Sequence, residues 1–261
     1  MGLAVVAVAL PLVVLVGGYG LLVWVSEPVV DAMADPSPPR ATRPTPKVAT
    51  SSTRLGAPAA VVGTGPHAFR LTLPSGEPVS FDPCRPVTLV VNDDLAPQGG
   101  EQLLDTAIAE VGAASGFQLV VEGATSERLR LGRSSHQYMR YGDRWAPVLV
   151  AWTDAGQWSG VVADGGTARS SVVDAPDGRF AVSGLVALDG PRIARLLDSE
   201  DLADPAEAQA IVTRQLARLL GLADVRAAGE LMDPTSGATA LGPGDRAGLA
   251  TLGSGPCAAV L

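Results

Sequence analysis

The stretch that decides the reading is "TRQLARLLGLADV" (213–225), followed six residues later by "LMDP" (231–234). Upstream, "DPAEAQAIVTRQLARLLGL" (204–222) reads as one helix. Asp204 caps it, Pro205 takes its first position and Gly221 closes it. By period alone this is an amphipathic core helix. Ile211, Leu216, Leu219, Leu220 and Leu222 make its buried face, and Arg214 and Arg218 lie on the wet side. That reading leaves Gly221 and Met232, and their spacing from the two arginines, unexplained.

The spacing is that of HExxHxxGxxH followed by a methionine turn. In that motif two His one helical turn apart face one metal. The Glu beside the first takes a proton from metal-bound water, and the Gly turns the chain so that a third His reaches the ion. Here the positions read Arg214, Gln215, Arg218, Gly221 and Asp224, with Met232 at the methionine turn. Together with "FDPCRPVTLVVN" (81–92), "YGDRWAPVLVAW" (141–152), "VSGLVALD" (182–189) and "LGPGDRAGLATLGSGPC" (241–257), the chain resembles the matrixin-like (metzincin) zinc metalloproteases exported by actinobacteria. The resemblance covers most of residues 80–257.

The family would place zinc on the first, fifth and eleventh positions of the motif. Guanidinium has no lone pair to offer a metal, and two of them repel a divalent cation. Asp224 alone is not a three-ligand site, and Gln215 cannot act as a general base. The expectation is therefore a metzincin-type fold with no zinc, no cofactor and no catalytic residue, in which Asp224 pairs with Arg214 or Arg218. The only histidines, His67 and His136, read as solvated surface residues off the helix. Ser170, Ser171 and Ser183 have no base nearby in sequence, and no GxSxG elbow is present.

The rest of the folded part alternates. Strands are expected at 67–73, 87–92, 117–123, 145–153 and 180–189, and helices at 101–115, 204–222 and 243–253. The fold class is α/β (α+β), one mixed twisted sheet with about three helices. "DGGTARSSVVD" (164–174) lacks the GxxxxGK[ST] pattern and reads as a surface loop. By the resemblance it borders a substrate cleft.

Three organisational expectations remain. Residues 1–25 carry no charged side chain and are long enough for a transmembrane helix. The alternative is a signal peptide cleaved near Ala34, at "AMAD". Residues 26–65 are rich in Pro, Ser, Thr and Ala and read as a disordered tether before a domain at 66–261. Cys84 and Cys257 are either two buried thiols or a disulfide tying the ends of that domain, which favours an oxidising exterior. Such a bridge would stabilise by up to about 5 kcal/mol on the chain-entropy account. A net charge of −8 argues against a nucleic-acid partner. The sole lysine, Lys47, among many arginines, with abundant Ala and Gly, resembles the usage of high-GC bacteria. The expected partners are the membrane, through 1–25, and a peptide or protein segment in the cleft. The folded part would then be an extracytoplasmic, protease-like module of the cell envelope. The competing readings are a peptidase with a non-standard site and a structural spacer.

Overall fold

A computed structural model describes residues 43–47, 51–130, 132–161, 165–201 and 203–261. They belong to one compact unit, Ala41–Leu261. The segment read as a membrane anchor lies outside them. No helix among the described residues is long and apolar enough to cross a membrane.

The elements in chain order are β1 (Ala68–Phe69), β2 (Val87–Asn92), α1 (Gly100–Ser115), β3 (Leu119–Ala124), α2 (Tyr138–Tyr141), β4 (Val148–Thr153), β5 (Gly166–Ala175), β6 (Gly178–Asp189), α3 (Gly190–Leu197), α4 (Asp204–Leu220), β7 (Leu222–Ala223) and α5 (Pro243–Gly253). A 3-10 turn at Ser159–Val161 precedes β5. The main sheet has the order β3-β2-β4-β6-β5. β2, β3, β4 and β6 run parallel, and β5 returns antiparallel to β6 at one edge. β1 and β7 form a separate antiparallel pair.

Period-two alternation divides the sheet into two faces. Val87, Leu89, Val148, Val150, Trp152, Val186 and Leu188 join the main core with α1, α4 and α5. Val90, Leu149, Ala151 and Leu185 form a second cluster on the other face, covered by Leu129 and Tyr141. β4 is buried throughout, as its unbroken apolar run implies.

Four expectations change. Of the stretch 164–174 expected as a loop, residues 166–174 are strand: β5 pairs along its length with β6, with a bulge at Ser171/Val172. The strand expected over 67–73 shrinks to two residues, and Thr72 bridges back to Pro78. The described residues hold five helices rather than about three. α2 and α3 are too short for a helical period to show, although Asp189 caps α3 through a bond from the Arg192 N–H (3.0 Å).

The fourth concerns the tether, whose described residues lie along the domain. Lys47 and Leu261 exchange backbone hydrogen bonds (2.9 and 3.2 Å), and the Thr45 N–H donates to Asp143 Oδ1 (2.9 Å). The Leu55 N–H donates to the Pro83 carbonyl and the Ala59 N–H to that of Ala113. The segment passes so close to the end of α1 that a Cβ on Gly116 would stand 2.7 Å from the Ala57 carbonyl carbon. Gly116 also has φ 79°, so closing the helix and admitting the strap both require glycine there. Composition reads a segment's lack of apolar side chains; it misses docking made by backbone hydrogen bonds.

Cys84 and Cys257 form a disulfide with Cα atoms 5.4 Å apart, joining residues 173 apart in sequence.

Candidate functional site

α4 is the axis of the site. Every residue from Ala210 to Leu220 is buried, because α1 and α3 flank the helix, the β5–β6 hairpin lies beneath it, and β7 and α5 close its end. Arg214 and Arg218 are 9% and 7% exposed, not on a wet face.

The three polar residues of the motif leave the helix in different directions. Gln215 points at the sheet, where a Cβ on Gly166 of β5 would come within 2.8 Å of its Cγ. It is fully buried, its Oε1 accepts from Arg218 Nη1 (3.4 Å), and its Nε2 has no hydrogen-bond partner. Arg214 donates from Nε to the Leu231 carbonyl (2.7 Å), beside Met232. Arg218 grips Asp224, Nε to Oδ1 at 2.9 Å and Nη2 to Oδ1 at 2.6 Å. This is one of the two ion pairs the sequence suggests, built on the residues that stand at two ligand positions. The buried guanidinium meets a half-exposed carboxylate, 48% accessible.

The turn between α4 and Asp224 depends on Gly221. Its φ is 128°, and its N–H caps the helix on Ala217 and Arg218. A Cβ there would meet the Val79 carbonyl oxygen at 3.2 Å. Glycine is required both for the backbone angle and for the approach. The chain then pairs through β7 with β1 and reaches Asp224. The Val225 N–H donates to the Met232 carbonyl (3.1 Å), which brings the 231–234 segment against residues 224–225.

That turn rests on two buried carboxylates, Asp245, expected at the start of the last helix, and Glu230, which the sequence reading missed. Asp245 accepts from the N–H groups of Leu231 (2.5 Å), Met232 (3.3 Å) and Gly242 (2.9 Å). Glu230 accepts from Gly244 and Asp245 (3.0 and 2.9 Å) at the start of α5. Burial pushes the Asp245 carboxyl above its ordinary range, assisted by the neighbouring Glu230 charge and opposed by the three N–H donors. The signal for Asp245 was its place in the first turn of α5, where a carboxylate faces free N–H groups. For Glu230 the sequence carried none.

A second missed cluster lies on the other sheet face. Arg133 holds Glu127 with two bonds (Nε–Oε1 2.9 Å, Nη2–Oε2 3.0 Å), and also donates to Ser183 Oγ and the Pro147 carbonyl. Gln137 and Tyr141 complete the shell of Glu127 (2.7 and 2.6 Å). Burial pushes the Glu127 carboxyl up, but the bonds from Arg133, Tyr141 and Gln137 outweigh it and hold the group below its ordinary range.

The remaining candidates are dispersed. His136 is 8% exposed, not solvated, and its Nε2 lies 3.8 Å from Asp143 in the segment covering the second face. His67 is exposed and sits edge-on to Phe69. Ser183 is fully buried and bonded to Arg133; Ser170 and Ser171 lie on β5. The Ser134 hydroxyl donates to the His136 carbonyl (2.7 Å) and accepts from its N–H (3.2 Å), both contacts to backbone rather than to the ring. At Arg214, Arg218 and Asp224 the donor set does not fit zinc: two guanidiniums offer no lone pair, and one carboxylate is not a three-ligand site. Two clefts lie elsewhere. One of about 560 Å³ is lined by Asp189, Arg192, Arg195, Asp204 and Glu207. One of about 180 Å³ is lined by Phe81, Arg85, Arg144 and Trp145. Among the described residues β5 is an edge strand, paired with β6 alone.

No family model and no curated protein matches the chain. Among solved structures it is similar to the GM1 bound form of the ECX AB5 holotoxin, at 11% identity and a TM-score of 0.30, over 55% of this chain and 54% of that one. The chain thus spans about half of that structure's length, and the likeness carries no argument about function.

Proposed function

We propose that this chain is a metzincin-like domain without peptidase chemistry, and that it works by holding an extended peptide segment along β5. The observation that carries this reading is the Arg218–Asp224 pair, with Arg214 tied to the methionine turn. Residues at all three ligand positions of the motif are spent on holding the chain together. Beside them β5 is the last strand of the main sheet among the described residues, and a peptide can add a strand to such an edge through main-chain hydrogen bonds. The charge of Arg218 is answered inside the chain, so recognition rests on the edge strand rather than on an anion site at the floor. In this reading residues 1–25 anchor the protein and the disulfide-bonded domain is extracytoplasmic.

A structural spacer is the second reading, favoured by the same burial of Arg214 and Arg218, which fills the floor of the site. Amide exchange on the full chain, with and without a library of extended peptides, separates the two. Slowed exchange over 166–175 supports binding; unchanged exchange supports the spacer. Stoichiometric zinc in the oxidised protein, with chelator-sensitive peptide cleavage, would overturn both.

A further inference from the structure

We propose that the Cys84–Cys257 bridge is a redox-gated metal site: once reduced, the two thiolates and Asp82 take up one divalent cation of the zinc class. A ligand atom from each of the three residues lies within 4.8 Å of the other two. The cluster is built rather than incidental. Asp82 and Cys84 are 4% and 3% exposed, and the Cys84 N–H donates to Asp82 Oδ1 (2.9 Å), fixing carboxylate and sulfur on the same side of one turn. A fourth oxygen is at hand, the Ser52 carbonyl, 3.2 Å from Cys257 Sγ. Two thiolates and a carboxylate are ligand types that zinc accepts, and three protein ligands leave a fourth position for the carbonyl or a water.

Charge supports the assignment. Arg85 binds the outer oxygen of Asp82, Nε to Oδ2 at 3.0 Å. A divalent cation and this guanidinium together balance two thiolates and one carboxylate, so the loaded site is neutral. Arg85 also donates to the Lys47 carbonyl (3.1 Å), linking the site to the strap.

The gating step is thiol–disulfide exchange with a dithiol reductant. Its thiolate attacks the more accessible Cys257 sulfur, and Cys84 leaves as thiolate. The reductant's second thiol resolves the mixed disulfide, leaving two protein thiols and an oxidised reductant. Metal binding then releases the remaining thiol protons. The cation replaces the covalent bond as the tie among the strap, the approach to β2 and the chain's C-terminal segment.

The test is cobalt(II) titration of the full chain after reduction with a phosphine, which does not compete as a thiol ligand. The expected result is one equivalent bound with a thiolate-to-cobalt charge-transfer band, absent in the oxidised protein and competed away by zinc. Zinc should raise the melting temperature of the reduced form alone. Asp82→Asn should weaken binding about tenfold or more, and Cys84→Ser should abolish the band. If reduction unfolds the chain, refolding that depends on zinc supports the site. No uptake by reduced protein, or binding unchanged in Asp82→Asn, overturns it.

Discussion

Arg218 and Asp224 are joined by two hydrogen bonds to a single carboxylate oxygen, across the turn that Gly221 makes possible. One partner is buried and the other half in water. The pair is therefore asymmetric: removing the aspartate leaves a buried charge without its counter-charge, while removing both is milder.

Asp224→Ala should lower unfolding stability by about 1 kcal/mol, discounted for the exposure of the carboxylate. In an Arg218→Met background the same change should cost much less. Urea unfolding of the two single variants and the double variant measures the coupling. A coupling of zero would mean that the pair does not hold the turn.

The contact between α4 and the β5–β6 hairpin depends on missing side chains. A Cβ on Gly184 would lie 2.6 Å from the Arg169 carbonyl oxygen and 2.7 Å from Leu219 Cδ1. Backbone on one side and a buried leucine on the other leave no room. Gly184→Ala should destabilise by about 2 kcal/mol or more. Gly132→Ala, with nothing within 4 Å, should be neutral in the same thermal melt.

Glu127 supplies an acid-sensitive element. Its folded pKa is held below the unfolded value, so its stabilising contribution is complete above about pH 4.3 and is lost as pH falls through the folded value. Glu127→Gln should cost about 3 kcal/mol at pH 7, because it strips a buried guanidinium of its charge partner. It should also flatten the acid limb of the stability profile. Asp245 has the opposite sign: its raised pKa favours the folded state at low pH and is lost as pH rises through the folded value. Denaturant midpoints between pH 3 and 7 for wild type and Glu127→Gln read the difference directly.

The strap makes its own prediction. A Cβ on Gly56 would stand 2.5 Å from the Gly116 carbonyl oxygen, so Gly56→Val should lift the segment off α1. Limited proteolysis should then cut within 51–65 several times faster than in wild type. Equal cutting would show that the docked backbone bonds at Leu55 and Ala59 do not protect it.

What could be read beforehand follows the physics of each signal. β2, α1, α4 and α5 show in the sequence because their apolar periods and caps are long; β2 and α5 fall at the expected residues. The expected pairing of Cys84 with Cys257 is present. β5 was hidden because its residues, from Thr167 to Asp174, are mostly small or polar and gain strand form from β6 rather than from burial. The burial of Arg214 and Arg218 was hidden because the acceptors that make it tolerable, the Leu231 carbonyl and Asp224, come from the chain beyond the helix. Glu127 with Arg133 is likewise a tertiary pair of charge and donor, which no local pattern marks, and the place of Asp245 at the start of α5 does not disclose its bonds to Leu231 and Met232.

Restoring the motif is the strictest test of the proposed ancestry. Arg214→His, Gln215→Glu, Arg218→His and Asp224→His together recreate HExxHxxGxxH on α4, with Gly221 and Met232 already in place. Without metal the variant should be less stable than wild type, since the bonds to Leu231 and Asp224 are gone. With zinc it should recover, because binding to the native state adds to folding stability. The expected readout is one zinc per chain, by elemental mass spectrometry on protein whose cysteines are kept oxidised, with a zinc-dependent rise in melting temperature. A folded variant that takes up no zinc would show that positions 214, 218 and 224 do not converge as the three ligand positions of a metzincin do, and the resemblance would then lose the geometry on which it rests.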